Sequence, residues 1–197
     1  MTDDPLRMFL VLRRGAVETL EDAAVLGGAA AVACVRAFEI PQEWRERPGK
    51  VCLRARNASQ WSEVLELPHA LAGDPDEASV AALPPRRRSE RGPLLERLQA
   101  MSSDLGPPPS EASGDGLTYV LNPALEMSSG KVVAQVAHAA VLAAEQLPEW
   151  AEAGCPGRLV SPRERDFSAL KGEAVACVVD AGLTEVPPGT ITVIALQ

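Results

Sequence analysis

Aromatic residues are scarce. Phe, Trp and Tyr make up 4% of the chain, which argues against an extended platform for stacking bases. Histidine is scarcer still, with 2 in 197 residues. The four cysteines, Cys34, Cys52, Cys155 and Cys177, stand far apart with no C-x-x-C pair. Neither a structural zinc site nor a dithiol redox motif can be built from that set, so no metal is expected. The cysteines read as buried, reduced thiols of a cytoplasmic protein. Positive charge is also in deficit: 19 Lys and Arg face 27 Asp and Glu, a formal net charge of −8. That balance disfavours non-specific attraction to nucleic acid while leaving room for a local basic site. The apolar run from Ala23 to Val35, AAVLGGAAAVACV, has 13 residues. It is too short to span a bilayer and reads as a buried helix, so no membrane partner is expected. The start, MTDDPLR, is acidic and lacks the features of a signal peptide.

What is present is an ordinary globular composition, 46% apolar, with one stretch around which the rest is organised: NPALEMSSGKVVAQVAHAAVL, Asn122 to Leu142. Ser128 and Ser129 are cap-type residues, Gly130 permits close backbone approach, and Pro148 stops the helix. Val133, Val136, Ala140, Ala143 and Leu147 form an apolar stripe. Lys131, Gln135 and His138 form a second stripe, and at ~100° per residue they fall within roughly 60° of one another. An amine, an amide and an imidazole thus emerge together near a helix start, whose free N–H groups suit an anion or a developing oxyanion. The same residues also fit a solvated first-turn lysine and a satisfied boundary histidine.

Along the chain, Met8–Leu12 and Lys50–Ala55 read as strands, Ala16–Phe38 and Ser59–Leu67 as helices, and His69–Ala72 and Ser79–Leu83 as short strands. Composition then shifts. PPRRRSERG (Pro84 to Gly92) and GPPPSEASGDG (Gly106 to Gly116) bracket an amphipathic segment with Leu94, Leu95, Leu98 and Met101 on one stripe. This reads as a linker carrying one docking helix, with Arg86 to Arg88 a solvated loop. Strands at Leu117–Leu121, Ala174–Val179 and Thr190–Leu196 and a short helix around Phe167–Leu170 complete the second half.

The two halves share an order. FLVL matches TYVL, Trp44 matches Trp150, and PGKV (Pro48 to Val51) matches PGRL (Pro156 to Leu159); WSEVLEL matches FSALKG, and Asp74 ends one strand as Asp180 ends another. The expected architecture is α/β: mixed sheets flanked by helices in three α/β/α layers, as two tandem units. Residues 1–83 form a degenerate repeat, 84–116 a linker and 117–197 the unit carrying the candidate site, since the first helix has no counterpart of Lys131, Gln135 and His138.

Asp180 ends an apolar strand and enters a loop, where carboxylates of α/β sheets often line a crevice. Gly182 and Gly189 loosen this loop, Pro187 and Pro188 stiffen it, and Thr184 lies four residues after Asp180. Asp180 also suits a plain turn cap. GKVVAQVAHAA (Gly130 to Ala140), followed by DAGLTEVPPGTITVIAL, resembles the archaeal- and eukaryotic-type peptidyl-tRNA hydrolases, the second of two unrelated classes of that activity. The resemblance spans about Leu117 to Gln197. It implies a mixed four-stranded sheet flanked by helices. It also implies hydrolysis of the ester between a peptide and the 3′ ribose of tRNA, with no metal or organic cofactor. The family's catalytic Lys, Asp and Thr fall on Lys131, Asp180 and Thr184. Ser129, Gly130, Gln135, His138 and Gly182 fall in supporting or substrate-binding positions, His138 through hydrogen bonding rather than as a base.

The resemblance has departures. Where the family carries KMGKGK this chain has EMSSGK, preceded by one extra residue, and DAGRTQ becomes DAGLTE. Glu126, Ser129, Leu183 and Glu185 each remove positive charge or add negative charge where the tRNA backbone is expected, and each lost phosphate contact weakens binding. Arg13, Arg14 or Arg86 to Arg88 of the extra half are candidate replacements. Peptidyl-tRNA is therefore the expected partner. A non-catalytic binding module that kept the fold, or a hydrolase of a smaller acylated molecule, stay open. The family often dimerises; here the internal repeat suggests either a monomeric pseudo-dimer or a homodimer, with the Ala23–Val35 helix at the internal interface.

Overall fold

A computed structural model describes residues 4–74, 76–77, 79–102, 105–181 and 185–197. The elements in order are β1 (Arg7–Arg13), α1 (Leu20–Ala37), α2 (Gln42–Glu46), β2 (Gly49–Ala55), α3 (Ala58–Leu65), β3 (Ala70–Gly73), β4 (Ser79–Arg86), α4 (Gly92–Arg97) and β5 (Gln99–Ala100). The second half adds β6 (Leu117–Leu121), α5 (Ser129–Gln146), α6 (Pro148–Glu152), β7 (Gly157–Val160), α7 (Glu164–Leu170), β8 (Ala176–Val179) and β9 (Ile191–Leu196). Among the described residues no helix is long and apolar enough to cross a membrane.

The strands form two mixed sheets. One runs β3-β4-β1-β2-β5 and the other β7-β6-β9-β8. β1 lies parallel to β2 and antiparallel to β4, which is antiparallel to β3. β6 lies parallel to β7 and antiparallel to β9, which is antiparallel to β8. Leaving β5 aside, the two sheets have the same strand order and the same strand senses. The chemistry of β1 shows why its apolar run is unbroken. Met8, Leu10 and Leu12 join one buried cluster, and Phe9 and Val11 join another with Trp61, Val64 and Leu95. A strand covered on both faces gains by being apolar at every position.

The larger cluster holds the two halves together. Leu10, Ala24 and Val80 of the first half share it with Tyr119, Val133, Val136 and Ala140 of the second. α1 and α5 pack on each other between the sheets, α5 also touching β2 and α1 touching β7. Small residues set their separation. A β-carbon on Gly28 would lie 3.0 Å from the Ala140 β-carbon, and one on Gly27 would lie 2.7 Å from Val133 Cγ1. The apolar Ala23–Val35 run thus lies where the halves meet.

Several boundaries differ from the sequence reading, each for a local reason. α1 begins at Leu20 rather than Ala16, because the Thr19 side chain accepts the Asp22 N–H and caps the helix there. α3 is capped by Asn57, which accepts from Gln60, rather than by Ser59. β4 continues through Pro84 and Pro85 to Arg86. α4 ends at Arg97; Leu98 turns extended and the next two residues pair with Leu53 and Arg54 of β2. The first sheet therefore draws strands from both sides of Pro84. Cys34, Cys52 and Cys155 are buried, but Cys177 is exposed, because it points outward on the edge strand β8.

Candidate active site

The site forms where the start of α5 meets the end of β8. Ser128 caps α5, its hydroxyl accepting the Lys131 N–H at 3.2 Å. This fixes the first turn, so Lys131 and Gln135, one turn apart, project toward the same carboxylate. Asp180 Oδ2 accepts from Lys131 Nζ at 2.5 Å and from Gln135 Nε2 at 2.7 Å. The ion pair is withdrawn from water: the Lys131 side chain is 11% exposed and that of Asp180 is 6%. A buried charge pair of this kind needs further hydrogen bonds to offset desolvation. Gln135 supplies one and is itself held, since Thr192 Oγ donates to Gln135 Oε1 at 2.7 Å.

Thr192 was invisible to the alternation of TITVIAL. Regular pleating would turn its side chain to the same face as Ile194, which packs with Phe167 of α7. However, β9 pairs Val193 with Val178 and Ile191 with Val179, so Thr192 is an extra residue in the ladder. This bulge turns Thr192 toward α5.

Glu185 has a role the sequence reading did not assign. It was expected to weaken an anion site. In the fold its two carboxylate oxygens accept the Ser128 N–H at 2.7 Å and the Ser128 hydroxyl at 2.6 Å. A carboxylate at the positive end of an 18-residue helix is stabilising. The final loop is thereby tied to the start of α5, and the Ser128 N–H and hydroxyl are engaged within the chain.

Ser129 is buried and is the first residue of α5, not its cap. Gly130 does allow close approach: a β-carbon there would come within 2.8 Å of the Met101 carbonyl oxygen. His138 stays outside the chain of bonds from Thr192 to Lys131. It is half-buried, and its pKa is pushed down to about 3, chiefly by burial, further by Lys50 and against the pull of Asp180. A neutral imidazole is therefore what packs behind the site. Thr184 and Gly182 lie outside the described residues.

Lys50 of β2 also escaped the sequence reading. Its amine is buried without a hydrogen-bond partner and sits 4.8 Å from the Trp44 ring centre. Burial lowers its pKa to about 7. The signal available beforehand was weak: a lysine following a Pro-Gly turn usually reaches water. Among the described residues no group of three or more His, Cys, Asp or Glu side chains is arranged to hold a metal.

Comparison with known proteins falls on the half of the chain that carries this site. The family described as Peptidyl-tRNA hydrolase PTH2 matches residues 116–197. A peptidyl-tRNA hydrolase of Thermococcus onnurineus is 41% identical over 92 residues, covering 39% of this chain and 78% of the relative. One from Staphylothermus marinus is 39% identical over 87 residues, covering 36% and 72%. The human mitochondrial peptidyl-tRNA hydrolase 2 is 37% identical over 108 residues, covering 44% and 60%. The matched region contains α5, Asp180 and the strand bearing Thr192, and through it the chain belongs to the peptidyl-tRNA hydrolase PTH2 family.

Proposed function

We propose that this protein hydrolyses the ester joining a peptidyl or N-blocked aminoacyl group to the 3′ ribose of tRNA. The observation that carries the reading is the Asp180 carboxylate, pinned by Lys131 and Gln135 at a helix start. Ester hydrolysis needs an oriented water and positive charge near the oxyanion that forms. Asp180 orients the water, with Thr184 assisting. Lys131 holds Asp180 before attack and offers its charge to the oxyanion as the tetrahedral intermediate develops. Gln135 and Thr192 keep the carboxylate in place and do not meet the ester. No step calls for a metal or organic cofactor.

We read the first half as a degenerate copy of the same unit, which kept its sheet and lost its site. The shared strand order supports this, as do the helix caps. Counted from Thr19 and Ser128, the positions of Lys131, Gln135 and His138 hold Asp22, Leu26 and Ala29. The copy then supplies the contact surface that a second subunit would.

Release of an N-acetylated amino acid from its tRNA ester tests the function. Lys131→Ala and Asp180→Asn are each expected to lower kcat by about 10²-fold or more with the fold retained. Purified protein that folds but shows no turnover would overturn the enzyme reading in favour of a binding module.

A further inference from the structure

Three facts raise the question of where a polyanionic substrate is gripped. The approach to α5 carries Glu126 and no cation between Asn122 and Lys131. The Ser128 N–H and hydroxyl at the helix start are engaged by Glu185. Arg87, Arg97 and Arg36 are each held by a carboxylate: Glu43 at 2.7 Å, Glu63 at 2.8 Å and Glu152 at 3.5 Å. These pairs place Arg87 in an internal network, since it also donates to the Asp4 carbonyl.

Three arginines gather at one cavity. Arg13, Arg14 and Arg54 line a cavity of about 220 Å³ with Leu12, Val17 and Leu105. The cavity lies at the ends of β1 and β2, whose last paired residues are Arg13 and Ala55. Arg14 is exposed, and Arg13 also reaches the Glu77 carbonyl at 3.5 Å. Strand β5 and Met101 lie between this cavity and the start of α5. Arg54 pairs with Gln99 of β5. Two residues on, Met101 donates its N–H to the Cys52 carbonyl at 3.1 Å. Met101 packs directly on Gly130, the neighbour of Lys131.

Resting on the esterase reading, we infer that Arg13, Arg14 and Arg54 bind backbone phosphate of the tRNA acceptor arm. The first half thus supplies the grip that the start of α5 lacks. Guanidinium groups suit this task, because their planar forks donate two parallel hydrogen bonds to one phosphate. The contact positions the substrate without touching the ester, so it acts on KM rather than on kcat.

The test uses the full chain with Arg13, Arg14 and Arg54 changed together to Gln, and a second variant with all three changed to Lys. Two substrates separate the functions: N-acetylaminoacyl-tRNA, and an N-acetylaminoacyl ester of adenosine, which has no phosphate. The Gln variant is expected to raise KM for the tRNA ester by about tenfold or more and to reduce the slope of log KM against log salt by about 1 to 2. Its kcat and its rate on the adenosine ester should stay within about twofold of the parent, and the Lys variant should recover part of the salt slope. An unchanged KM and salt slope, or an equal loss on both esters, overturns the proposal. A parent that cleaves the adenosine ester but gains nothing from tRNA overturns it too, while leaving the esterase intact. If the parent cleaves neither ester, the esterase reading fails, and the tRNA dissociation constant decides the surface. Loss of tRNA binding in the Gln variant sustains it, and absence of binding in the parent overturns it.

Discussion

A single hydroxyl shows how closely this site depends on second-hand support. Thr192 holds Gln135, and Gln135 holds Asp180. Replacing Thr192 by Val leaves the Gln135 carbonyl oxygen buried without its donor, a loss of about 1–3 kcal/mol. The amide is then free to turn away from Asp180. The expected result is a lower melting temperature and a kcat reduced by about tenfold with little change in KM, whereas Thr192→Ser should retain most of both. Lys50 gives a prediction about pH. Its ordinary pKa is 10.5, and in the fold it is about 7. Between those values the unfolded chain holds a proton that the folded chain has released, so stability rises as pH rises from 7 towards 10.5. Below pH 7 both states are protonated, and the full cost of burying the ammonium remains. Lys50→Met should therefore stabilise the protein by about 1–3 kcal/mol at neutral and lower pH, with the gain shrinking toward pH 10.5. Denaturant melts across that range would measure it, and a gain independent of pH would contradict the assignment. At this scale the sequence showed Lys131, Gln135 and Asp180, because helix spacing and a strand end are local properties. It hid Thr192 behind a bulge, and Glu185 behind a loop closure that no local pattern encodes.

Helix α5 was legible almost throughout: a serine cap, a stripe of small apolar residues and Pro148 just past its end. α4 was legible only in its first part, Gly92–Arg97, because an amphipathic run of leucines serves equally well as a short helix followed by a short strand. Pairing with β2 settled that choice, and pairing is a long-range event. The packing of α1 on α5 supports a counter-intuitive prediction. Alanine favours helices over glycine by roughly 1 kcal/mol, so Gly28→Ala looks stabilising. The added carbon would meet Ala140 at 3.0 Å, and neither β-carbon can rotate away. The expected outcome is a net loss of about 1–3 kcal/mol, relieved in the double variant that also carries Ala140→Gly. A double-mutant cycle by thermal melting would read the coupling directly.

For the whole molecule, the α/β class and mixed sheets were legible in the alternation of apolar strands and helices, and the two sheets share one strand order once β5 is left aside. The way the halves face each other was visible only in outline, as an apolar helix with no other place to go. A fragment of residues 110–197 would expose the α5 face bearing Val133, Val136 and Ala140, all fully buried in the intact chain. An uncovered apolar face of that kind drives association, so the fragment should aggregate or remain loosely packed. A soluble, monomeric fragment with native-like chemical-shift dispersion would refute this. The shared core carries a thermodynamic consequence. Leu10, Val80, Tyr119 and Val136 belong to one cluster, so neither sheet can open without wetting the other. Heating should produce a single endotherm whose calorimetric and van't Hoff enthalpies agree. On this account neither half possesses a melting temperature of its own.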